Sequence, residues 1–454
     1  MSGGRGRYQA VEAELAGRGY TRMVFDLGRI RGLLDALGNP QKAYPSIHLT
    51  GTNGKTSTAR MIDSLLRAHG LRVGRYTSPH LETVRERISI EDEPVSEERF
   101  VELYEEVGPV AALLDAQAEA EGGEPLTYFD MTTALAFAAF ADAPVDVAVV
   151  EVGLGGAEDS TNVLHAGTCV ITPIGLDHTE WLGDTITDIA LAKAGIIHQG
   201  ATVVCAVQPD DAVEPIVERC VETEATLARE GAEFGVLRRA TAVGGQMVTL
   251  QGLGAEYDEV FLPLHGAHQA QNAAIALAAV EAFLGAGTAR ALDPEIVRAG
   301  FAGVSSPGRL ERVRSAPTIL LDAAHNAAGM AATVTALETE FDFRRLVAVV
   351  AILADKDAAA MLHALEPVVD HVVLTRNSSP RALSPEALAA VADEMFDPER
   401  VSVVADMPDA IAEAVALAEA DLESGLGGVG VLITGSVVTV ADARHLLARG
   451  GSTR

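Results

Sequence analysis

Residues 47–57 read Ile-His-Leu-Thr-Gly-Thr-Asn-Gly-Lys-Thr-Ser. A short apolar run breaks at Gly51 and Gly54 and gives way to Lys55-Thr56-Ser57 at the head of a helical pattern. Ala59, Ile62, Leu65, Leu66 and His69 fall on one face of that pattern, and Gly70 ends it. Backbone N–H groups at a helix start point outward and favour an anion. Glycines let the backbone approach phosphate oxygens, an ammonium such as that of Lys55 reaches terminal phosphates, and a hydroxyl such as that of Thr56 suits Mg2+. Gly51, Thr52, Asn53, Gly54, Lys55, Thr56 and Ser57 are therefore a candidate grip for ATP. Leu49 stands where the Walker pattern has its first glycine, so a glycine turn beside a stray lysine is the alternative at this point.

Three further residues carry chemistry. Glu151 closes the strand expected over 145–150, directly after four apolar residues at 147–150; an acidic residue there helps hold Mg2+ in phosphate-loop enzymes, and a turn or capping carboxylate is the other reading. Gly153-Leu154-Gly155-Gly156 follows and begins like a dinucleotide fingerprint, but Glu158 at the sixth position removes that reading. His178 follows Asp177 past another apolar run; a single histidine is commonly structural, and only proximity to Glu151 and a nucleotide makes it a ligand candidate. Lys193 sits in Ala192-Lys193-Ala194-Gly195-Ile196-Ile197, where a lone ammonium is costly unless paired. It either snorkels to water or is carbamylated and acts as an anionic metal ligand. The chain has only Lys42, Lys55, Lys193 and Lys356 among its Lys and Arg residues, so a retained lysine marks a place where an ammonium or amine is wanted.

These residues need a scaffold. A chain of 454 residues exceeds one compact core, so two domains are expected. An apolar fraction of 48% is that of a folded protein, and a net charge of −30 disfavours nucleic acid or an anionic membrane as partner. Cys169, Cys205 and Cys220 are odd in number and widely spaced, which suits free thiols in a reducing cytosol and no zinc site. The first seven residues lack the apolar centre of a secretion signal, and runs such as 347–354 are too short to span a bilayer. A cytoplasmic, membrane-free protein is the expectation.

Buried strands over 71–77, 145–150 and 169–174, with an Ala-rich helix over 131–141, predict a mainly parallel sheet covered on both faces. Short alternating strands with Gly244-Gly245 and Gly252 turns predict a small antiparallel sheet over 236–263, and a helix follows over 269–284. Ser305-Ser306-Pro307-Gly308 offers a boundary. Beyond it strands at 318–321, 346–352, 371–375, 401–404 and 429–434 alternate with helices near 327–339, 357–365, 384–396, 408–421 and 438–448, which predicts a smaller doubly wound α/β domain. The expected domains are 1–304 and 305–454. The acidic residues Glu91-Asp92-Glu93 and Glu97-Glu98 read as a solvated surface loop.

The segment 51–57, Thr77-Ser78-Pro79-His80, Glu86-Arg87-Ile88, the 151–156 stretch and Asp159-Ser160-Thr161-Asn162 resemble the folylpolyglutamate synthase/dihydrofolate synthase family. Asp177-His178, Lys193-Ala194-Gly195, His268-Gln269 with Asn272, Pro307-Gly308-Arg309, Asp322-Ala323-Ala324-His325-Asn326, Asp355-Lys356-Asp357 and Thr434-Gly435-Ser436 continue the resemblance in order. That family lies in the wider Mur-ligase-like group of ATP-dependent amide-forming enzymes. The resemblance implies an N-terminal ATPase domain, a smaller C-terminal domain and a cleft between them. It implies that Lys55 and the loop amides hold the β- and γ-phosphates, that Thr56, Ser78 and Glu151 serve one Mg2+, and that His178 and a carbamate on Lys193 serve a second. Asn272, Arg309 and Asp322 would contact the nucleotide, and His325 and Ser436 the incoming glutamate. Phe129, Asp130 and Asp159 would wall the pterin. The implied reaction joins L-glutamate to dihydropteroate, to reduced folates or to both, with a monomeric enzyme. A paralogue acting on another carboxylate, or an idle nucleotide-binding module, are the rivals. Relatives often carry an aromatic or basic residue near Ala157-Glu158, a carboxylate at Ala192, Lys at His198 and Gly at Ala323.

Overall fold

The computed structural model describes residues 2–20, 22–287, 290–422 and 428–450. The chain forms two compact units, one of Met1–Ala240, Met247–Leu262 and Ala270–Val304, the other of Thr241–Gln246, Pro263–Gln269 and Ser305–Arg454.

The first unit is built on eight strands: β1 (Ser46–Thr50), β2 (Val73–Tyr76), β3 (Ile88–Ile90), β4 (Glu93–Pro94), β5 (Val147–Glu151), β6 (Thr168–Ile171), β7 (Thr202–Cys205) and β8 (Thr226–Arg229). Their order is β4-β3-β2-β5-β1-β6-β7-β8. All neighbours from β2 to β8 are parallel, and β3 and β4 pair antiparallel at one edge. Every residue of β1 and β5 is buried, as a central strand covered on both faces requires. The chain leaves β1 for β2, returns to β5 beside β1, then crosses to β6, so the order reverses at β1. Ligands in open α/β sheets gather at the carboxyl ends of strands at such a reversal. Register places Leu49 beside Glu151 and Thr50 beside Ile171, which brings three strand ends level. A small antiparallel sheet, β9 (Gly235–Ala242), β10 (Gly245–Gln251) and β11 (Glu256–Leu262), occupies the stretch where alternation predicted it.

Helices over Leu27–Ala36, Glu97–Ala120 and Asp210–Glu222 were not legible in the apolar pattern. Glu97–Ala120 carries an internal Pro109, which reads as a breaker. The expectation of a solvated acidic loop needs correction. Glu97 and Glu98 form the first turn of that helix, capped by Ser96. Asp92 turns inward to Arg75 Nη1 at 2.7 Å, and the same nitrogen lies 2.5 Å from buried Asp63. A charge run looks solvated in one dimension because its buried partners lie elsewhere in the chain.

The second unit holds β12 (Glu311–Ser315), β13 (Thr318–Leu321), β14 (Arg345–Val350), β15 (His371–Leu374), β16 (Val401–Val403) and β17 (Val429–Thr434), in the order β12-β13-β17-β14-β15-β16. The five expected strands are parallel and alternate with helices. β12 is an additional antiparallel edge strand. Its Glu-Arg-Val-Arg-Ser sequence gives no apolar face to read. Residues 241–246 and 263–269 pack in this unit too. Buried Gln246 donates to Leu264 O and Gly266 O at 2.8 and 3.0 Å, and Gly266 N–H donates to Glu340 at 2.7 Å.

Candidate active site

The phosphate loop connects β1 to helix Lys55–Ala68, whose Ala59, Met61, Ile62, Leu65 and Leu66 are buried. Gly51 has φ +142, and a Cβ there would lie 1.9 Å from Thr172 Oγ1. Gly54 has φ +89, and its Cβ would lie 2.5 Å from Asn272 Oδ1. Both positions therefore require glycine. Thr52 and Asn53 N–H donate to Pro173 O at 3.0 and 3.3 Å, and Thr52 Oγ1 donates to Gly175 O at 3.0 Å. The loop is thus stapled to the segment after β6, with the positive end of helix Lys55–Ala68 facing its mouth. Asn272 is placed beside the loop by helix Ala267–Leu284.

Two lysine side chains meet at one carbonyl. Lys55 Nζ donates to Gly51 O at 2.9 Å and Thr52 O at 3.1 Å; Lys193 Nζ donates to Gly51 O at 2.9 Å. Lys193 is 4% exposed, so it does not snorkel. Burial, and secondarily the charge of Lys55, lowers its pKa to about 7.

Across the loop the hydroxyl of Thr56 lies 3.0 and 2.9 Å from the two oxygens of buried Glu151, and Ser78 N–H donates to Glu151 at 3.3 Å. Hydroxyls with one carboxylate form a hard-oxygen donor set, sparse enough to leave room for phosphate and water, which fits Mg2+. Among the described residues no group of three or more His, Cys, Asp or Glu side chains gathers to hold a metal. His178 adopts the left-handed conformation at φ 54 ahead of helix Thr179–Leu182, is partly exposed, and has Nε2 3.9 Å from Asp177 Oδ2.

The pterin-wall candidates are committed to scaffolding. Asp130 accepts the Thr127 N–H and hydroxyl at 2.8 Å and the Ser160 hydroxyl at 2.6 Å. Asp159 accepts N–H groups of Leu154 and Thr161 at 2.9 Å and so shapes the 153–156 loop; burial raises its pKa to about 6. Phe129 packs on Gly153, where a Cβ would lie 2.5 Å from its ring. Sequence reading missed Phe25 and Trp181, which pair at 5.8 Å between ring centroids while remaining 38% and 44% exposed. Their exposure and their pairing exist only in the fold, so nothing along the chain marked them. Buried Arg87, which the family motifs include without assigning it a role, donates from Nε to His80 Nδ1 at 2.9 Å while its guanidinium lies 5.1 Å from the Tyr128 ring centre. Burial, with Arg87 beside it, lowers the His80 pKa to about 3.

In the second unit the residues after β13 and β17 are neighbours, since Asp322 N–H donates to Ile433 O at 3.0 Å. The Asp322 carboxylate accepts Leu310 N–H, Ala324 N–H and the Thr333 hydroxyl at 2.8–3.0 Å. Arg309, half-buried, donates to Gly308 O at 3.3 Å. His325 Nδ1 lies 3.0 Å from Ala323 O, so that nitrogen bears a proton. Buried Ser436 accepts Asn377 Nδ2 and Thr439 N–H at 3.0 Å and lies 2.8 Å from Thr439 Oγ1. Thr439 Oγ1 gives its own proton to Ala351 O at 2.7 Å, so Ser436 must donate to it, and the serine hydroxyl is saturated. Asn377 and Thr439 are further residues that the sequence did not single out.

A parallel sheet with a phosphate loop after its central strand, an acidic residue closing the neighbouring strand and a second doubly wound unit together define a Mur-type ligase. Residues 49–280 match the Mur ligase middle domain, and residues 308–437 match the Mur ligase glutamate ligase domain. The chain belongs to the dihydrofolate synthase/folylpolyglutamate synthase family: it is 52% identical to the dihydrofolate synthase/folylpolyglutamate synthase of Mycobacterium tuberculosis over 94% of this chain and 91% of that protein. It superposes on the Mycobacterium tuberculosis folylpolyglutamate synthase complexed with ADP with a TM-score of 0.94 at 51% identity, covering 98% of this chain and 99% of that one. An FPGS–AMPPCP–folate complex is similar at a TM-score of 0.81 and 33% identity, covering 97% and 99%.

Proposed function

We propose that the protein is an ATP-dependent ligase that adds L-glutamate to dihydropteroate, to reduced folates or to both, through an acyl phosphate, releasing ADP and phosphate. The observation that carries this reading is a convergence at the ends of β1 and β5. Lys55 and Lys193 meet on Gly51 O, and Thr56 and Ser78 meet on Glu151. The relatives named for this activity, one solved with ADP and one with AMPPCP and folate, support the substrates.

A free carboxylate is a poor acyl donor. Gly51, Thr52, Asn53, Gly54, Lys55, Thr56 and Ser57 cradle the triphosphate, with Asn272, Arg309 and Asp322 as further nucleotide contacts. A carboxylate oxygen of the pterin acid attacks the γ-phosphorus, and ADP departs. The amine of glutamate then adds to the acyl carbon, phosphate leaves, and the amine proton is lost. Lys55 faces the negative charge that develops, the kind of preorganised stabilisation that dominates such steps, and Lys193 Nζ holds Gly51 O of the same loop. His325 serves the incoming glutamate. Ser436 contributes through its place at the start of helix Val437–Gly450, since its hydroxyl is already committed. Phe129, with Asp130 and Asp159 fixing its loop, walls the pterin, and Phe25 and Trp181 extend that apolar surface.

Mg2+ would be held by Thr56, Ser78 and Glu151, and when bound it neutralises charge on the transferring phosphoryl group. A second ion would be held by His178 and a carbamate on Lys193. An amine with a pKa near 7 is substantially neutral at physiological pH, the form that adds CO2. Residues 1–304 carry the phosphate loop and the pterin wall, and residues 305–454 carry Arg309 and Asp322 for the nucleotide with His325 and Ser436 for glutamate, in a monomeric cytoplasmic enzyme whose three cysteines are free and buried.

The test is phosphate release measured with dihydropteroate, tetrahydrofolate or an unrelated acid, each with and without glutamate. Turnover that requires a pterin acid and glutamate together is expected. Turnover only with unrelated acids would move the protein to a paralogous ligase. Slow hydrolysis indifferent to both substrates would mark an idle nucleotide-binding module.

A further inference from the structure

Lys193 reaches the phosphate loop from the end of helix Ile186–Ala194, and that end is clamped by a side chain the reaction does not use. Asn162, on the 3-10 turn Ser160–Val163 and 8% exposed, donates from Nδ2 to Ala157 O at 2.9 Å and to Gly195 O at 3.2 Å. Both amide protons are spent bridging the loop that follows Glu151 to the residue two positions past Lys193. Its Oδ1 can only accept, so the His198 Nε2 found 3.0 Å away is the protonated ring nitrogen and fixes which way the amide faces.

The joint closed by Asn162 has no slack elsewhere. Ala157 N–H donates to Ala192 O at 2.8 Å. A Cβ on Gly156 would lie 2.8 Å from Lys193 O and 2.9 Å from Ala192 O, and one on Gly195 would lie 2.3 Å from Ala157 Cβ. Backbone thus meets backbone on one side, and Asn162 ties the same two segments by their carbonyls. The apolar face of the helix is secured separately, through Ile189, Ala190 and Ala194 in the core with Ile196 and Ile197. Behind the joint lies a cavity of about 410 Å3 lined in part by Asn162, His198, Leu191 and Arg219. Loss of the amide would therefore expose the two carbonyls to a space large enough for water, not to a dry void. The fold should tolerate that loss while the helix end relaxes.

We infer that Asn162 is a positioning residue, oriented by His198, whose amide sets the end of helix Ile186–Ala194 so that Lys193 Nζ falls on Gly51 O. This rests on the role assigned to Lys193 above. Misplacement by a single ångström is enough to lose about 10²-fold in rate when a reacting group depends on it.

A double-mutant cycle tests the inference, with kcat normalised to ADP-binding sites and single-turnover quenching used to read slow variants. Asn162→Ala should lower kcat by about tenfold or more while the KM for ATP stays within about threefold, because the phosphate loop keeps its own bonds. In the Lys193→Ala background the same substitution should cost less than about twofold, since residues acting through one group are not additive. Asn162→Asp keeps the volume but turns a carboxylate on the two carbonyls, and should be as poor as Asn162→Ala. Equal losses in both backgrounds would make Asn162 ordinary cement and overturn the inference, as would wild-type kcat in Asn162→Ala or Asn162→Asp. If Lys193→Ala alone keeps wild-type kcat, the role of Lys193 fails first and takes this inference with it. An impaired Lys193→Ala beside an unimpaired Asn162→Ala would sink this inference alone.

Discussion

Thr56 Oγ1 stands 3.0 and 2.9 Å from the two carboxylate oxygens of Glu151, across 95 residues of sequence. A hydroxyl has one proton and serves one of these oxygens at a time, so the pair is gathered more tightly than a single hydrogen bond needs. The register of β1 against β5 produces it, since Leu49 and Glu151 are level and the loop returns Thr56 over the same strand end.

Glu151→Gln should therefore lower kcat by about 10²–10³-fold and shift the Mg2+ dependence to higher concentration. Thermal stability should hold or rise, because a buried carboxylate is costly to desolvate. Mg2+ titrations of phosphate release on both proteins check this; unchanged Mg2+ dependence would remove Glu151 from the metal site.

Lys193 gives a pH signature. Its folded pKa is lowered to about 7 from the ordinary lysine value of 10.5, so between those values the unfolded chain binds the extra proton. Stability contributed through this group rises with pH over that window and is at its lowest below about 7. In CO2-free buffer, wild type should gain melting temperature relative to Lys193→Met as pH increases from 7 to 9. Parallel curves would contradict a buried, depressed amine.

Adding bicarbonate to CO2-depleted enzyme should raise wild-type turnover severalfold with saturation, and leave Lys193→Ala unaffected. An inert wild type would rule out the carbamate while leaving the bond from Lys193 Nζ to Gly51 O in place.

Gly51→Ala meets Thr172 on two sides, with its Cβ 1.9 Å from the hydroxyl and 2.8 Å from the carbonyl oxygen. A rotamer change relieves only the first contact. Destabilisation of about 2–4 kcal/mol is expected from backbone strain and overpacking together, with weakened nucleotide binding. Urea unfolding and ADP titration measure both.

Trp181 is the sole tryptophan of the chain and is partly exposed beside Phe25. Binding of dihydropteroate should change its fluorescence, and Phe25→Ala should raise the KM for the pterin acid by about tenfold through loss of one aromatic contact. A silent tryptophan at saturating substrate would place the pterin elsewhere.

Ser436→Ala removes a helix cap and takes away one of the two acceptors of the buried Asn377 amide, leaving Thr439 Oγ1. A loss of about 1–3 kcal/mol is expected in urea unfolding.

Much of the architecture was readable along the chain, because continuous apolar strands such as 147–150 and 429–433 can only be central in a parallel sheet. The polar edge strand β12 and the Pro-containing helix Glu97–Ala120 escaped, since neither shows a period that burial alone would produce. The phosphate loop was legible for a local reason: Gly51, Gly54 and Lys55 are neighbours in sequence and their conformational demands are short-range. Residue types alone could not tell that Asp130 and Asp159 are occupied in holding loops, that Ser436 has no hydrogen-bonding capacity left, or that Asn162 spans two carbonyls. Those facts depend on which distant backbone groups meet each side chain, and only the packing of strands and helices in three dimensions decides that. Sequence by itself determined the reactive groups and the elements that carry them; tertiary structure decided which groups are free to act and which are spent on holding the others still.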